Sequence, residues 1–284
     1  MTGSTPEPFP TAHLPEPADG GVLGIVERRI WWVVAAIVIL GVAIAEHRPS
    51  PIDKVLARAR HGDLRAQQEL GGDYYFGRGV WPDYAKSAYW NLQAARRGDV
   101  KAEVRLGYLY DHSLGVTQDH AKAIGWYRKA VAAGDATAEF NLGVAYYDGD
   151  GVPRNYTKAA FWYRKAADQG LAWAQRDLGH LARLGQGMAR DDAKAARWYR
   201  KAAGQDFAPA QLRLAAFYAE GRGVPRDEIE AEKWLIIAGS GAARSGPLHR
   251  QLQRLQARIA PTLGDAGRRA SREAASAWIA WHRH

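Results

Sequence analysis

The sequence predicts an all-α fold: a right-handed α/α superhelix, or helical solenoid, of five 36-residue helix-pair repeats with capping helices, preceded by one transmembrane helix. Two observations favour it. Small and apolar residues recur at helical spacing within each unit, and four registers repeat five times at an interval of 36 residues without an insertion. Such an interval is typical of arrays in which each helix pair packs only on its neighbours. The registers are Trp90, Trp126, Trp162, Trp198 and Trp234; Leu70, Leu106, Leu142, Leu178 and Leu214; Ala66, Ala102, Ala138, Ala174 and Ala210; and Gly79, Gly115, Gly151, Gly187 and Gly223.

Residues 1–27 are predicted to form a disordered tail. The stretch from 1 to 21 is rich in Pro, Gly, Ser and Thr and has almost no large aliphatic residues. Such a segment cannot bury enough apolar surface to offset the entropy of ordering it.

Residues 28–46 are interpreted as a transmembrane helix or signal anchor. Ile30 to Ala45 is a run of sixteen residues without a charge. As a helix it spans about 24 Å, close to the hydrocarbon core of about 30 Å. Two alternatives stay open: a buried helix of the soluble domain, or a cleavable signal peptide processed near Ala45.

The predicted location is the inner (cytoplasmic) membrane, crossed once, with the solenoid in the periplasm. Arg28 and Arg29 favour a cytoplasmic N-terminus, and a long domain can be translocated whatever its charges. Four basic residues after the apolar run count against this orientation: Arg48, Lys54, Arg58 and Arg60. The alternative is secretion to the periplasm after cleavage near Ala45.

The solenoid is predicted to cover residues 50–241, and its third unit shows the chemistry of one repeat. The first helix has one small and apolar face and ends at Gly149-Asp150-Gly151, because glycine tolerates a left-handed backbone. The second helix begins at Asn155, an N-cap position that is Asp in the other four units. The first-helix face is Ala138, Leu142, Gly143 and Tyr146, and the second-helix stripe is Ala159, Trp162, Ala166 and Ala167.

Helices at both ends are predicted to cap the array, because an open solenoid end leaves an apolar face exposed. Ile52 to His61 is interpreted as a half-repeat before the first unit. Residues 242–284 are predicted to form C-terminal capping helices, at about Pro247–Arg258 and Thr262–Trp281. The first presents Leu248, Leu252, Leu255 and Ile259, with Arg250, Arg254 and Arg258 on the opposite face as a partner site or a solvated surface; the second presents Ala266, Ala270, Ala274, Trp278 and Trp281.

These motifs resemble the Sel1-like repeat, a relative of the tetratricopeptide repeat. The pattern is Leu-Gly-x-x-Tyr-x-x-Gly-x-Gly-Val, then Asp-x-x-Lys-Ala-x-x-Trp-Tyr-x-Lys-Ala-Ala, and the resemblance covers about residues 63 to 241. Ser113, Met188 and Glu230 are local departures that leave the fold intact. The resemblance implies an α/α-superhelical adaptor, of a kind often found in bacterial envelopes, that binds other proteins or peptides.

The sequence contains no catalytic constellation. There is no Cys, and therefore no thiol nucleophile or thiolate metal site, no Gly-x-Ser-x-Gly elbow and no phosphate-binding loop. His112 with His120, and Asp148 with Asp150, are weak metal-site candidates that are better explained as polar surface residues. We therefore predict no enzyme activity, no cofactor and no small-molecule substrate.

In tetratricopeptide-like solenoids the first helix of each pair lines an inner groove, so the resemblance places partner binding at first-helix positions free of the repeat pattern. The middle of this set is aromatic and basic, and such residues concentrate binding energy at interfaces. Trp173 is the first choice because the repeat pattern does not require a Trp there. The predicted partner-binding residues are Lys101, Tyr108, Phe140, Tyr147, Trp173, Arg176, His180 and Arg183.

The leading functional hypothesis is a membrane-anchored scaffold whose groove binds a protein or peptide segment of acidic character. The alternative is a subunit or regulator of an envelope glycan-processing complex, acting on peptidoglycan or polysaccharide, with Trp and Tyr stacked on sugars. No pair of carboxylates is expected at the groove positions, which counts against that alternative. Nucleic-acid binding through Arg and aromatic residues is a third hypothesis, which a periplasmic location would exclude.

Overall fold

A computed structural model describes residues 50–241 and 246–282 of the chain. These ranges contain thirteen α-helices, one short 3₁₀-helix and no strand, which confirms the predicted all-helical repeat solenoid. The right-handed sense of the superhelix stays a prediction. The helices are α1 (Pro51–Arg60), α2 (Leu64–Phe76), α3 (Tyr84–Ala95), α4 (Val100–Asp111), α5 (His120–Ala132), α6 (Ala136–Asp148), α7 (Tyr156–Asp168), α8 (Ala172–Leu184), α9 (Asp192–Ala203), α10 (Ala208–Glu220), α11 (Glu228–Gly241), α12 (Pro247–Ile259), the 3₁₀-helix Ala260–Thr262 and α13 (Asp265–His282).

By its internal contacts the chain divides into two compact units, Met1–Lys54 and Val55–His284. The described part of the first unit is the beginning of α1, where Ser50 and Asp53 exchange backbone-to-side-chain hydrogen bonds of 3.0 and 3.3 Å. The predicted tail (1–27) and the predicted anchor (28–46) lie outside the described residues. Among the helices that are described, none is both long and apolar enough to cross a membrane.

The repeat units are pairs of consecutive helices, from α2 with α3 to α10 with α11. Each helix packs chiefly on its neighbours along the chain, and the buried residues of the described ranges form four successive apolar clusters. At the C-terminal end, α12 packs on α10 and α11, and α13 packs on α11. Because each helix pair packs on the next one in the same way, the buried residues recur at an interval of 36 residues.

The predicted N-caps of the second helices are confirmed in all five units. Each side-chain oxygen accepts a hydrogen bond from the backbone N–H three residues later, at 2.7–2.9 Å. These bonds satisfy amides that have no partner inside the helix. The capping residues are Asp83, Asp119, Asn155, Asp191 and Asp227.

The predicted second-helix stripe needs one correction. Ala159, Ala166 and Ala167 are buried, but Trp162 is only partly buried, whereas the neighbouring Tyr163 is 3% exposed. Trp162 packs on the apolar cluster of α5 and α6, and the Lys165 ammonium lies 5.3 Å from the centre of its ring. The tyrosine therefore belongs to the buried cluster of α7 and α8, and the tryptophan packs on the cluster of α5 and α6 under the cover of a lysine.

The glycine of the Leu-Gly motif makes room for that tyrosine. A Cβ atom on Gly143 would lie 2.4 Å from Cδ1 of Tyr163. The same contact recurs between Gly107 and Tyr127, and between Gly179 and Tyr199, at 2.5 and 2.9 Å from the nearest ring atom. The tyrosine ring of the partner helix therefore leaves no room for a side chain at the glycine position.

The terminal helices lie where the sequence predicts them, with different contact residues in α13. Leu252, Leu255 and Ile259 of α12 are buried as expected. On α13, however, Ser271 and Ala275 are buried, Trp278 contacts Trp234 at 5.7 Å, and Trp281 is 77% exposed. The predicted apolar face of α13 was therefore wrong at Ala266 and Trp281, which are exposed, because the buried positions Ser271 and Ala275 lie one residue after the predicted Ala270 and Ala274.

Candidate partner-binding site

A cavity of about 400 Å³ lies between α6, α7 and α8, in the third and fourth units. We call it the aromatic cavity. Its residues come mainly from the first helices of two successive units, as a groove along the array requires. They are Phe140, Val144, Tyr147, Asp148, Tyr163, Trp173, Arg176, Asp177 and His180.

Aromatic rings form most of the cavity wall. The Phe140 ring stacks on Tyr163, with centroids 5.5 Å apart and planes at 30°. Trp173 is 49% exposed, yet its ring is held edge-on against Phe207, with a centroid distance of 4.5 Å. The Arg176 guanidinium lies 5.4 Å from the centre of the Trp173 ring. The indole is therefore open to a ligand but fixed in orientation, which lowers the entropy cost of binding.

The cavity also holds two carboxyl groups whose pKa values are raised. Burial raises the pKa of Asp177 to about 6, against the opposing effect of Arg176, whose Nε lies 2.8 Å from Asp177 Oδ1. Burial raises the pKa of Asp148 as well, and the neighbouring charges of Asp150 and Asp111 add to that shift. Near neutral pH the cavity thus contains negative charge that a single arginine offsets.

His180 is neutral at the edge of this cavity. Burial lowers its pKa to about 4, and the charges of Arg183, Arg213 and Arg176 lower it further in the same direction. Its Nδ1 lies 3.3 Å from Arg183 Nη2. The imidazole is therefore a polar but uncharged part of the wall, and its Nδ1 accepts a hydrogen bond from the Arg183 guanidinium.

The structure brings together five of the eight predicted site residues and separates the others. Phe140, Tyr147, Trp173, Arg176 and His180 line the aromatic cavity. Arg183 adjoins it through His180.

Two of the predicted residues lie in earlier units. Tyr108 stacks on His112 at 3.9 Å between ring centroids, and it also meets Tyr75 at 6.3 Å. Lys101 lines a different cavity of about 430 Å³, formed by α2 and α4 together with Arg65, Arg78 and Arg105. The predicted groove is therefore divided into local cavities, because large side chains such as Tyr108 fill the space between units.

The carboxyl pair of this cavity was not predicted from the sequence. No two carboxylates were expected at groove positions, whereas Asp148 and Asp177 both line the aromatic cavity. A signal for Asp177 was present, since the residue before the repeat Leu is polar in every unit. That series is Glu69, Arg105, Asn141, Asp177 and Arg213.

The metal candidates form ordinary polar contacts. His120 Nδ1 lies 2.7 Å from Asp111 Oδ1, and His112 Nδ1 lies 3.2 Å from the backbone oxygen of Tyr108. Within the described ranges, no group of three or more His, Cys, Asp or Glu side chains could hold a metal ion.

Comparison with known proteins agrees with this architecture. The Sel1 repeat matches five segments of the chain, residues 64–99, 100–135, 136–171, 174–207 and 208–241. No curated protein matches the chain significantly.

Two solved structures are similar to the chain at 30% identity. One is c5321, a protective antigen that is present in uropathogenic Escherichia coli strains and displays an SLR fold. The match has a TM-score of 0.62 and covers 80% of this chain and 55% of that protein. The other is a Sel1 repeat protein from Oxalobacter formigenes, with a TM-score of 0.61, covering 72% of this chain and 84% of that protein. The chain thus spans little more than half the length of the Escherichia coli antigen. Sel1 repeat proteins are protein-interaction scaffolds and are generally non-catalytic. Because five repeats match well over half of its length, this chain belongs to the Sel1 repeat family.

Proposed function

We propose that the chain binds an extended segment of a partner protein, and that one side chain of the segment sits in the aromatic cavity. The observation that supports this most is Trp173, a large apolar side chain left half exposed while its ring is fixed by Phe207 and Arg176. Rigid, partly exposed Trp side chains beside a cavity are typical anchors of binding energy.

The charge of the cavity changes one expectation about this partner. The sequence predicted a segment of acidic character, yet Asp148 and Asp177 line the cavity, and Arg176 already pairs with Asp177. A carboxylate placed there would be repelled by both, and the arginine of the cavity lining is already paired with Asp177. The aromatic cavity therefore favours an apolar or aromatic side chain.

The binding test compares two aromatic residues of similar exposure. Trp173 is 49% exposed and lines the cavity, whereas Phe161 is 54% exposed on α7 and lies outside it. We expect Trp173→Ala to weaken binding of the partner by about 2 kcal/mol or more, roughly a thirtyfold rise in Kd, with an unchanged melting temperature. Phe161→Ala should bind as the wild type does, in isothermal titration with a partner recovered by crosslinking. Equal losses in both variants would contradict the proposal.

We also propose that residues 28–46 hold the chain in the inner membrane with the repeats in the periplasm. The support is the uncharged run from Ile30 to Ala45 and the arginines before it. The full-length protein should stay with the membrane fraction after a high-salt wash, and deletion of residues 1–46 should release it. A soluble protein that begins at Glu46 would instead indicate cleavage after Ala45.

A second candidate function is glycan binding as part of an envelope glycan-processing complex. The observation that favours it is the pairing of aromatic rings with two carboxyl groups in one cavity, since rings stack on sugars and carboxylates accept hydrogen bonds from hydroxyls. Titration with soluble peptidoglycan fragments tests it. Quenching of Trp fluorescence that disappears in Trp173→Ala would support glycan binding over the protein partner.

A further inference from the structure

A second cavity, of about 360 Å³, lies between α10 and α12 at the C-terminal end of the array. We call it the arginine cavity. Its floor is apolar, because Leu212 and Leu255 are 6% and 9% exposed. Its lining residues are Leu212, Arg213, Ala216, Glu220, Gln251, Arg254, Leu255 and Arg258.

The charges of this cavity do not balance. Glu220 is the one carboxylate of its lining, and its Oε1 accepts a hydrogen bond of 3.0 Å from Arg258. The other Glu220 oxygen lies 3.6 Å from Arg222. Arg213 and Arg254 form no ion pair or hydrogen bond through their side chains within the described part of the chain. Among the described residues, the guanidinium groups of Arg213 and Arg254 therefore have no counter-charge in this cavity.

The two helices that carry these groups, α10 and α12, are held together by apolar packing. Leu252, Leu255 and Ile259 fix α12 in the apolar cluster that also contains Leu212 of α10. The positions from which Arg213 and Arg254 extend are thus set by core packing. Two exposed guanidinium groups that extend from packed helices are suited to a planar anion, which a guanidinium can bind through two parallel hydrogen bonds.

The positive field of this cavity reaches the aromatic cavity. His180 lines the aromatic cavity, and Arg213 is among the charges that lower its pKa. Arg183 lies next to His180 on the same side. Arg213 stands on α10, the first helix of the unit after α8, so the two cavities follow each other along the first helices.

We propose that the arginine cavity binds a carboxylate side chain of the same partner segment whose other side chain enters the aromatic cavity. This inference rests on the proposed function, because it assigns both cavities to one extended segment. The acidic character predicted from the sequence then belongs to this end of the array. A carboxylate fits better than a phosphate group, because Glu220 would repel a second negative charge.

The experiment uses the full-length chain in a nonionic detergent and fluorescein-labelled decaglutamate as the probe, followed by fluorescence polarisation. The test variant is Arg213→Ala/Arg254→Ala. The matched control is Arg250→Ala/Arg269→Ala, which removes the same charge from two exposed residues outside the cavity. Circular dichroism melting of each variant shows that the repeats stay folded.

We expect the test variant to raise the Kd for decaglutamate at least tenfold and the control to raise it less than threefold. Equal losses in both variants, or no measurable binding by the wild type, would overturn the proposal. Displacement of the probe by low millimolar inorganic phosphate would also overturn it, in favour of a phosphate site. Trp173→Ala should leave decaglutamate binding unchanged, so failure at the aromatic cavity and failure at the arginine cavity are distinguishable.

Discussion

The contact between Gly143 and Tyr163 gives a sharp test of how the repeats are packed. A Cβ atom on Gly143 would lie 2.4 and 2.6 Å from two atoms of the buried Tyr163 ring. Real Cβ atoms do not come this close to a neighbour, so the ring or the helix must move. The fifth unit shows the natural alternative, since Ala215 replaces the glycine and Leu235 replaces the tyrosine, and both are buried.

Two opposing effects decide the stability of Gly143→Ala. Alanine in a helix is favoured over glycine by about 1 kcal/mol, whereas overpacking a buried contact costs about 1–3 kcal/mol. With a clash this close we expect the upper part of that range and a net loss of about 1–2 kcal/mol in the free energy of unfolding. Gly125→Ala is the matched control, because Gly125 is an exposed residue within α5 with no atom within 4 Å of the added Cβ. It should gain up to about 1 kcal/mol.

Replacing both partners should recover part of the loss. In Gly143→Ala/Tyr163→Leu the smaller side chain leaves room for the methyl group, as in the fifth unit. We expect the double variant to be at least 0.5 kcal/mol more stable than the sum of the single changes, a coupling typical of residues in contact. The assay is urea unfolding of the full-length chain, followed by far-ultraviolet circular dichroism. A Gly143→Ala variant as stable as Gly125→Ala, or strictly additive single changes, would refute this packing.

Two further predictions follow from the turns and the buried carboxyl group. Gly187 has a φ of +68°, and a Cβ there would lie 2.2 Å from the backbone oxygen of Tyr156, so Gly187→Ala should lower the free energy of unfolding by about 2–4 kcal/mol. Gly170 has a φ of +93° and open space around it, so Gly170→Ala should lose only the backbone cost of about 1–2 kcal/mol. Equal melting temperatures of the two variants would contradict the contact with Tyr156. The pKa of Asp177 is raised from 3.8 to about 6 in the folded chain, so its contribution to stability is greatest below pH 4 and is lost as the pH rises through about 6. An NMR titration of its carboxyl carbon should give a midpoint near 6, and a midpoint near 4 would contradict the burial.

The repeat architecture was predictable because its determinants are local and periodic. The caps at Asp83 and its equivalents, the helix ends and the 36-residue interval all follow from short-range rules, and the structure agrees with them. The burial of Tyr163 in place of Trp162 was not predictable in this way. It depends on a contact with Gly143, twenty residues earlier and on another helix, which periodicity alone does not reveal.

The candidate site was predictable only in part, for a similar reason. First-helix periodicity placed Trp173 and Phe140 near each other, and they do line one cavity. The ion pair between Arg176 and Asp177 joins neighbours in sequence whose side chains both reach the same cavity. Periodicity marked Arg176 as a groove residue and left Asp177 out, so the charge of the cavity was misjudged.

The most direct test of the binding site is photocrosslinking inside the living cell. A photoreactive phenylalanine analogue would replace Val144 in the aromatic cavity or Phe161 outside it, each with Trp173 intact or changed to Ala. We predict that one partner protein is captured from position 144, not from position 161, and that Trp173→Ala abolishes the capture. Capture of that partner with equal yield from position 161, or capture from position 144 that survives Trp173→Ala, would contradict it.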